Sequence, residues 1–250
     1  MRADQIPAYE QEFDRTGIDS EEKYHILTSH QVQIPDGSGF MNYVRVKPAS
    51  GDESYYYREE VNKDQIVLHY TMGYLKGDIA TLTQPNYHVS VPFVIGRNGK
   101  IYNLFFSGYW SYHLGRNSIG GNTERSRATI GIELSNIGHL DRRANQMTSE
   151  GNNIYCDVNQ IEYYQALDFQ NFHFFATFTD AQYESLIILL RYLTARYEIP
   201  AEFLADDFRY RAFNEVVDFP GIVSHVNYRG NEKEDIGPAF DWNRVINALS

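Results

Sequence analysis

The chain holds one cysteine, Cys156, so no internal disulfide can staple it, and synthesis in a reducing compartment is expected. Basic residues are also scarce. Twenty-two Lys and Arg against 33 Asp and Glu leave a formal net charge of -11, which argues against a nucleic-acid partner or an anionic membrane surface. No apolar run approaches the ~18 residues that a membrane-spanning helix requires, so no membrane insertion is expected. The first residues, Met1-Arg2-Ala3-Asp4-Gln5-Ile6-Pro7, contain no apolar core of a secretory signal, and cytoplasmic synthesis is the expectation. Delivery elsewhere, by lysis or by a secretion machine, is left open, as is the oligomeric state. There are no internal repeats or low-complexity tracts, and the metalloprotease signature H-E-x-x-H is missing. What remains is a chain of 250 residues that is 42% hydrophobic, enough for one good-sized domain, alone or with an extension. Aromatics reach 15%, with 20 Tyr and 15 Phe. They suggest a sugar-binding surface, but tyrosines and phenylalanines more often fill the core and its rim.

Residues 1–60 are polar, with apolar alternation at Tyr24–Leu27 and Tyr43–Val46, and read as short strands and loops wrapping the main domain at 61–250. Gln65 to Tyr70 and Thr129 to Leu134 are apolar runs with the pattern of buried strands. Asn98-Gly99 between His88–Ile95 and Ile101–Phe105 signals a hairpin. Thr179 and Gln182 form a capping box for a helix whose Tyr183, Leu186, Ile187, Leu190, Leu193 and Tyr197 recur at helical spacing. Ile222-Val223-Ser224 reads as a short strand delivering His225, and Pro238 to Leu249 as a closing amphipathic helix. Residues 139–177 mix Asn, Asp and Gln with Tyr163, Tyr164, Phe169, Phe172, Phe174 and Phe175 without a period, the mark of a long insert forming a cleft wall.

Chemistry concentrates near the end. His225 and Asp235 lie ten positions apart with Lys233 between them. On a straight helix that separation spans roughly 15 Å, whereas a loop can bring both onto one ion. His69, closing the run Ile66-Val67-Leu68, is the natural third donor. Two neutral imidazoles and one carboxylate leave a divalent ion Lewis-acidic with one coordination corner open, as in catalytic zinc sites. Lys233 projects to the same side as Asp235 in an extended loop and suits an oxygen gaining negative charge. Glu133, a lone carboxylate in an apolar strand, is the candidate base. Each also has a plainer reading: His69 as a hydrogen-bonded core histidine, Glu133 as a paired structural acid, Lys233 and Asp235 as solvated charges.

Several blocks in order resemble the type-2 N-acetylmuramoyl-L-alanine amidases, which share a fold with peptidoglycan recognition proteins. They are Leu68-His69-Tyr70-Thr71, Asn86-Tyr87-His88-Val89, Ser111-Tyr112-His113-Leu114-Gly115, Gly131-Ile132-Glu133, Ser224-His225 and Lys233-Glu234-Asp235-Ile236-Gly237-Pro238. Tyr112 stands where tryptophan is common in that family. The resemblance implies an α/β fold, a central mixed sheet of five or six strands flanked by helices. It implies Zn2+ held by His69, His225 and Asp235, with Glu133, Lys233 and Tyr87 catalytic. It further implies substrate contacts from His113, Tyr112 and Asn136, with His88 left to packing. The implied substrate is peptidoglycan or a muropeptide, cut at the amide between N-acetylmuramic acid and L-alanine. A non-catalytic muropeptide-binding module of the same fold is the alternative.

Overall fold

The computed structural model describes residues 1–250. Helix α1 (Ile6–Thr16) is followed by strands β1 (His25–Gln33), β2 (Phe40–Pro48) and β3 (Gln65–Tyr70), then α2 (Leu75–Leu82). Next come β4 (Phe93–Ile95), β5 (Ile101–Asn103), α3 (Asn122–Ala128) and β6 (Thr129–Leu134). The insert supplies β7 (Asp141–Arg143), β8 (Gln146–Ser149), β9 (Asn153–Asp157), β10 (Tyr164–Phe169) and β11 (Phe172–Ala176). The chain closes with α4 (Asp180–Tyr197), β12 (Gly221–Ser224), α5 (His225–Arg229) and α6 (Trp242–Leu249). No helix is long and apolar enough to cross a membrane.

One mixed sheet organises the molecule, in the order β1-β2-β5-β4-β6-β3-β12. It has seven strands rather than five or six because β1 and β2 join it. They pair along nine residues each and dock on the edge through Val44 opposite Tyr102 and Arg45 opposite Asn103. Residues 25–48 are therefore continuous with the sheet. β6, β3 and β12 run parallel, and every residue of β3 is buried. That burial explains the unbroken apolar run, since a parallel strand is covered on both faces. On one face, Leu186, Leu189, Leu190 and Leu193 of α4, with Trp242 and Val245 of α6, pack on Ile66, Leu68, Ile130 and Ile132. On the other, Leu75, Ile79 and Leu82 of α2 meet Val94, Tyr102 and Phe13.

Local signals read from the residues are realised in detail. The Thr179 side chain accepts from the Gln182 backbone N–H and Gln182 returns the contact, capping α4. β4 and β5 pair antiparallel across the Asn98-Gly99 turn. Gly99 has φ +82°, and a Cβ there would lie 2.8 Å from the Ala181 carbonyl oxygen, so only glycine fits. The closing helix begins at Trp242 rather than Pro238, because the Asp241 side chain caps it by accepting from the Arg244 N–H. α1 was hidden in polar sequence. Its buried side includes Glu10, whose carboxylate accepts the Arg97 and Asn98 N–H groups at 2.8 Å each and so holds the hairpin turn. The insert is ordered as a three-stranded sheet (β7–β9) and a hairpin (β10–β11). Leu140, Met147, Tyr155 and Cys156 form a small core with Ala3 and Ile6.

Candidate metal centre

The C-terminal ends of three adjacent parallel strands meet at one edge of the sheet, where open α/β sheets commonly place ligands. β3 ends by presenting His69, and β6 sets Glu133 in register beside it. β12 ends at Ser224, paired with Leu68, so the next residue, His225, opens α5 at the same level. A 3-10 turn after α5 returns the chain, and the Asp235 carbonyl accepts the Val226 N–H at 2.9 Å. The turn thus folds Asp235 back on the helix that carries His225.

His69 Nδ1 lies 3.0 Å from His225 Nδ1 and 3.2 Å from Asp235 Oδ2, and His225 Nδ1 lies 2.9 Å from that oxygen. All three side chains are buried. His225 Nε2 meets the Leu114 carbonyl at 2.9 Å. A carbonyl only accepts, so Nε2 carries a proton, and Nδ1 is the ring nitrogen turned toward the cluster. Burial, and next the neighbouring His225, lower the His69 pKa to about 4, so this ring is neutral at pH 7. Two imidazole nitrogens and a carboxylate oxygen, the usual donors of a catalytic zinc site, are crowded within hydrogen-bond distance of one another. This donor set suits a divalent cation, and His69, His225 and Asp235 form a possible metal site.

Beside the cluster lie two adjoining lobes of about 680 Å³ and about 660 Å³, whose walls share Val89 and Lys233, and His225 lines the first. Glu133 lines the second lobe, and its buried Oε2 has no hydrogen-bond partner. Burial, then Asp235 and Asp78, raise its carboxyl well above the usual range, against the lowering effect of Lys233. Tyr87 is 54% exposed and lines the first lobe with Tyr112 and His113. Tyr112 packs edge-on against Trp110 and Tyr57. His88 stacks on Tyr57 with ring centres 4.2 Å apart, a packing contact. One expectation needs correction. Asn136 is buried, donating to the carbonyls of Ala176 and Thr177 and accepting from the Gly138 N–H, so its amide holds the entry to the insert rather than substrate. His113 lines the first lobe, and both its ring nitrogens also have protein neighbours: Nδ1 lies 3.0 Å from His69 Nε2 and Nε2 lies 2.9 Å from Thr129 Oγ1.

Asp78, in the second lobe, escaped the sequence reading, and its only signal was an acid within the short apolar stretch of α2. Its carboxyl accepts from the Ser135 hydroxyl at 2.7 Å, and burial raises its pKa to about 7. A folded-state pKa above the unfolded one means that the folded protein keeps a proton the unfolded chain has lost. Stability therefore falls as pH rises from about 4 to about 7 and then levels off. Asp78→Asn removes this dependence. In urea unfolding, the variant's stability relative to wild type should rise across that window by up to about 4 kcal/mol. A difference that does not change with pH contradicts the assignment.

The family described as N-acetylmuramoyl-L-alanine amidase matches residues 59–238. The chain is similar to N-acetylmuramoyl-L-alanine amidase AmiD of Escherichia coli strain K12, at 29% identity over 185 residues. That match covers 72% of this chain and 51% of AmiD, so the chain spans about half the length of this curated relative. Among solved structures, a selenomethionine derivative of AmpD aligns with a TM-score of 0.50 at 21% identity, covering 82% of this chain and 93% of the other. The E. coli AmiD complex with anhydro-N-acetylmuramic acid-L-Ala-D-gamma-Glu-L-Lys aligns with a TM-score of 0.50 at 24% identity, covering 76% and 59%. Both share the mixed sheet with flanking helices seen here.

Proposed function

Because the chain belongs to the N-acetylmuramoyl-L-alanine amidase family, we propose that it is a zinc hydrolase cutting the amide between N-acetylmuramic acid and L-alanine in peptidoglycan or its fragments. The observation that carries this reading is the convergence of His69, His225 and Asp235 beside two adjoining cavities, one lined by His225 and Lys233 and the other by Glu133 and Lys233. His69, His225 and Asp235 would hold the ion, which when bound supplies Lewis acidity toward water and the scissile carbonyl.

The protein's own groups account for the remaining chemistry. Glu133, ionised, takes a proton from the attacking water as its oxygen adds to the lactyl carbonyl carbon. Its raised pKa suits it to hold that proton and then pass it to the L-alanine nitrogen as the C–N bond breaks. Products are a lactyl carboxylate and a stem peptide with a free amine. The Lys233 ammonium and the Tyr87 hydroxyl stabilise the negative charge that builds on the carbonyl oxygen. Tyr112 supplies an aromatic wall to the same lobe. A binding module without turnover is the rival, and the complete set of three donors beside a buried, unpartnered carboxyl favours the hydrolase.

The test is incubation of the zinc-loaded protein with purified sacculi and, separately, with soluble anhydro-muropeptides. Stem peptides with a free L-alanine amine should appear by mass spectrometry, and a chelator should abolish them. Muropeptide binding with no cleavage over hours at saturating zinc would establish the binding module instead. The substrate cut faster separates action on intact wall from action on released fragments.

A further inference from the structure

We infer that His113 and Thr129 are positioning residues which set the tautomer of His69, so that its Nδ1 faces the metal site with a free electron pair. The inference rests on the zinc reading above, and its evidence is a directed chain of hydrogen bonds. The Thr129 hydroxyl lies 2.7 Å from the Arg125 carbonyl oxygen. A carbonyl has no proton to give, so the hydroxyl donates there. Its single proton is then committed, and toward His113 Nε2, 2.9 Å away, it can only accept. His113 Nε2 therefore carries the proton of the neutral ring and His113 Nδ1 is bare. His69 Nε2, 3.0 Å from that bare nitrogen, must be the donor, which strips the proton from His69 Nδ1. One main-chain carbonyl thus dictates, through two side chains, which nitrogen of His69 is free. The Leu114 carbonyl does the same for His225 directly.

The surroundings hold this chain in place. Thr129 opens β6 and is buried, and the Lys63 ammonium donates to both the Arg127 and Thr129 carbonyls at 2.6 and 3.2 Å. Gly131, two residues on, makes room for the imidazole. A Cβ there would sit 3.0 Å from His113 Cγ and Nδ1 and 2.7 Å from Val91 Cγ1. Outer hydrogen bonds of this kind orient ligating histidines and tune their basicity.

The test pairs Thr129→Val, which keeps the shape but loses the hydroxyl, with Thr129→Ser, which restores it. Zinc affinity is measured by competition with a chromophoric chelator. Thr129→Val should weaken zinc binding about 10–100-fold, with Thr129→Ser close to wild type. Imidazole 15N spectra of the zinc-free wild type should place the proton on Nε2 of both His69 and His113. Equal zinc affinity in wild type and Thr129→Val, or a proton on Nδ1 of His113, overturns the inference. A wild type that takes up no zinc overturns the reading beneath it, and the 15N spectra still decide the tautomers.

Discussion

Replacing Glu133 with glutamine should lower kcat for muropeptide hydrolysis by about 10²–10⁴-fold, the range expected if it is the positioned general base proposed above. Glutamine preserves size and shape but can neither take the proton from water nor deliver one to the departing amine. Glu133 is no member of the donor cluster, so zinc affinity should stay near that of wild type. Stability should not suffer either. The buried Oε2 has no partner to lose, and a neutral amide avoids the cost of a carboxylate that burial disfavours. Steady-state kinetics on a soluble muropeptide, with zinc content determined in parallel, separates these effects. A variant with wild-type kcat would remove Glu133 from the chemistry.

Asp235→Ala strikes the ion rather than the proton. It deletes the one anionic donor and leaves two imidazole lone pairs facing each other at 3.0 Å with no counter-charge. The loop itself should hold, because the contact that folds it back runs through the Asp235 main-chain carbonyl. Zinc affinity should fall beyond the about 10–100-fold typical of changes one layer out, and hydrolysis should drop to background at equimolar zinc. Chelator competition and product release, measured on the same preparation, check both halves. Retention of stoichiometric zinc by Asp235→Ala would mean that the ion sits elsewhere.

How much of this was legible before any coordinates depends on the range of each interaction. Gln65–Tyr70 and Thr129–Leu134 announce themselves as buried strands because parallel strands covered on both faces are apolar throughout. The Asn98-Gly99 turn and the Thr179/Gln182 box are local chemistry and read directly. The convergence of His69, His225 and Asp235 followed from donor chemistry, loop spacing and family resemblance, and the strand register explains it. Long-range partnerships stayed hidden. Glu10 looks like a surface acid until the hairpin turn 87 residues away is laid against it. Asn136 resembles a cleft residue until the insert closes over its amide. Nothing near His113 in sequence shows that His69, 44 residues earlier, faces its ring. The strands of the insert are short and irregularly apolar, and their small core is completed by Ala3 and Ile6 from the other end of the chain.

The most direct measurement is anomalous diffraction at the zinc edge from crystals grown with one equivalent of zinc. One peak should lie within bonding reach of His69 Nδ1, His225 Nδ1 and an Asp235 carboxylate oxygen, and it should vanish in Asp235→Ala crystals. A peak at any other cluster, or an empty cleft in protein that still hydrolyses muropeptide, would contradict the account.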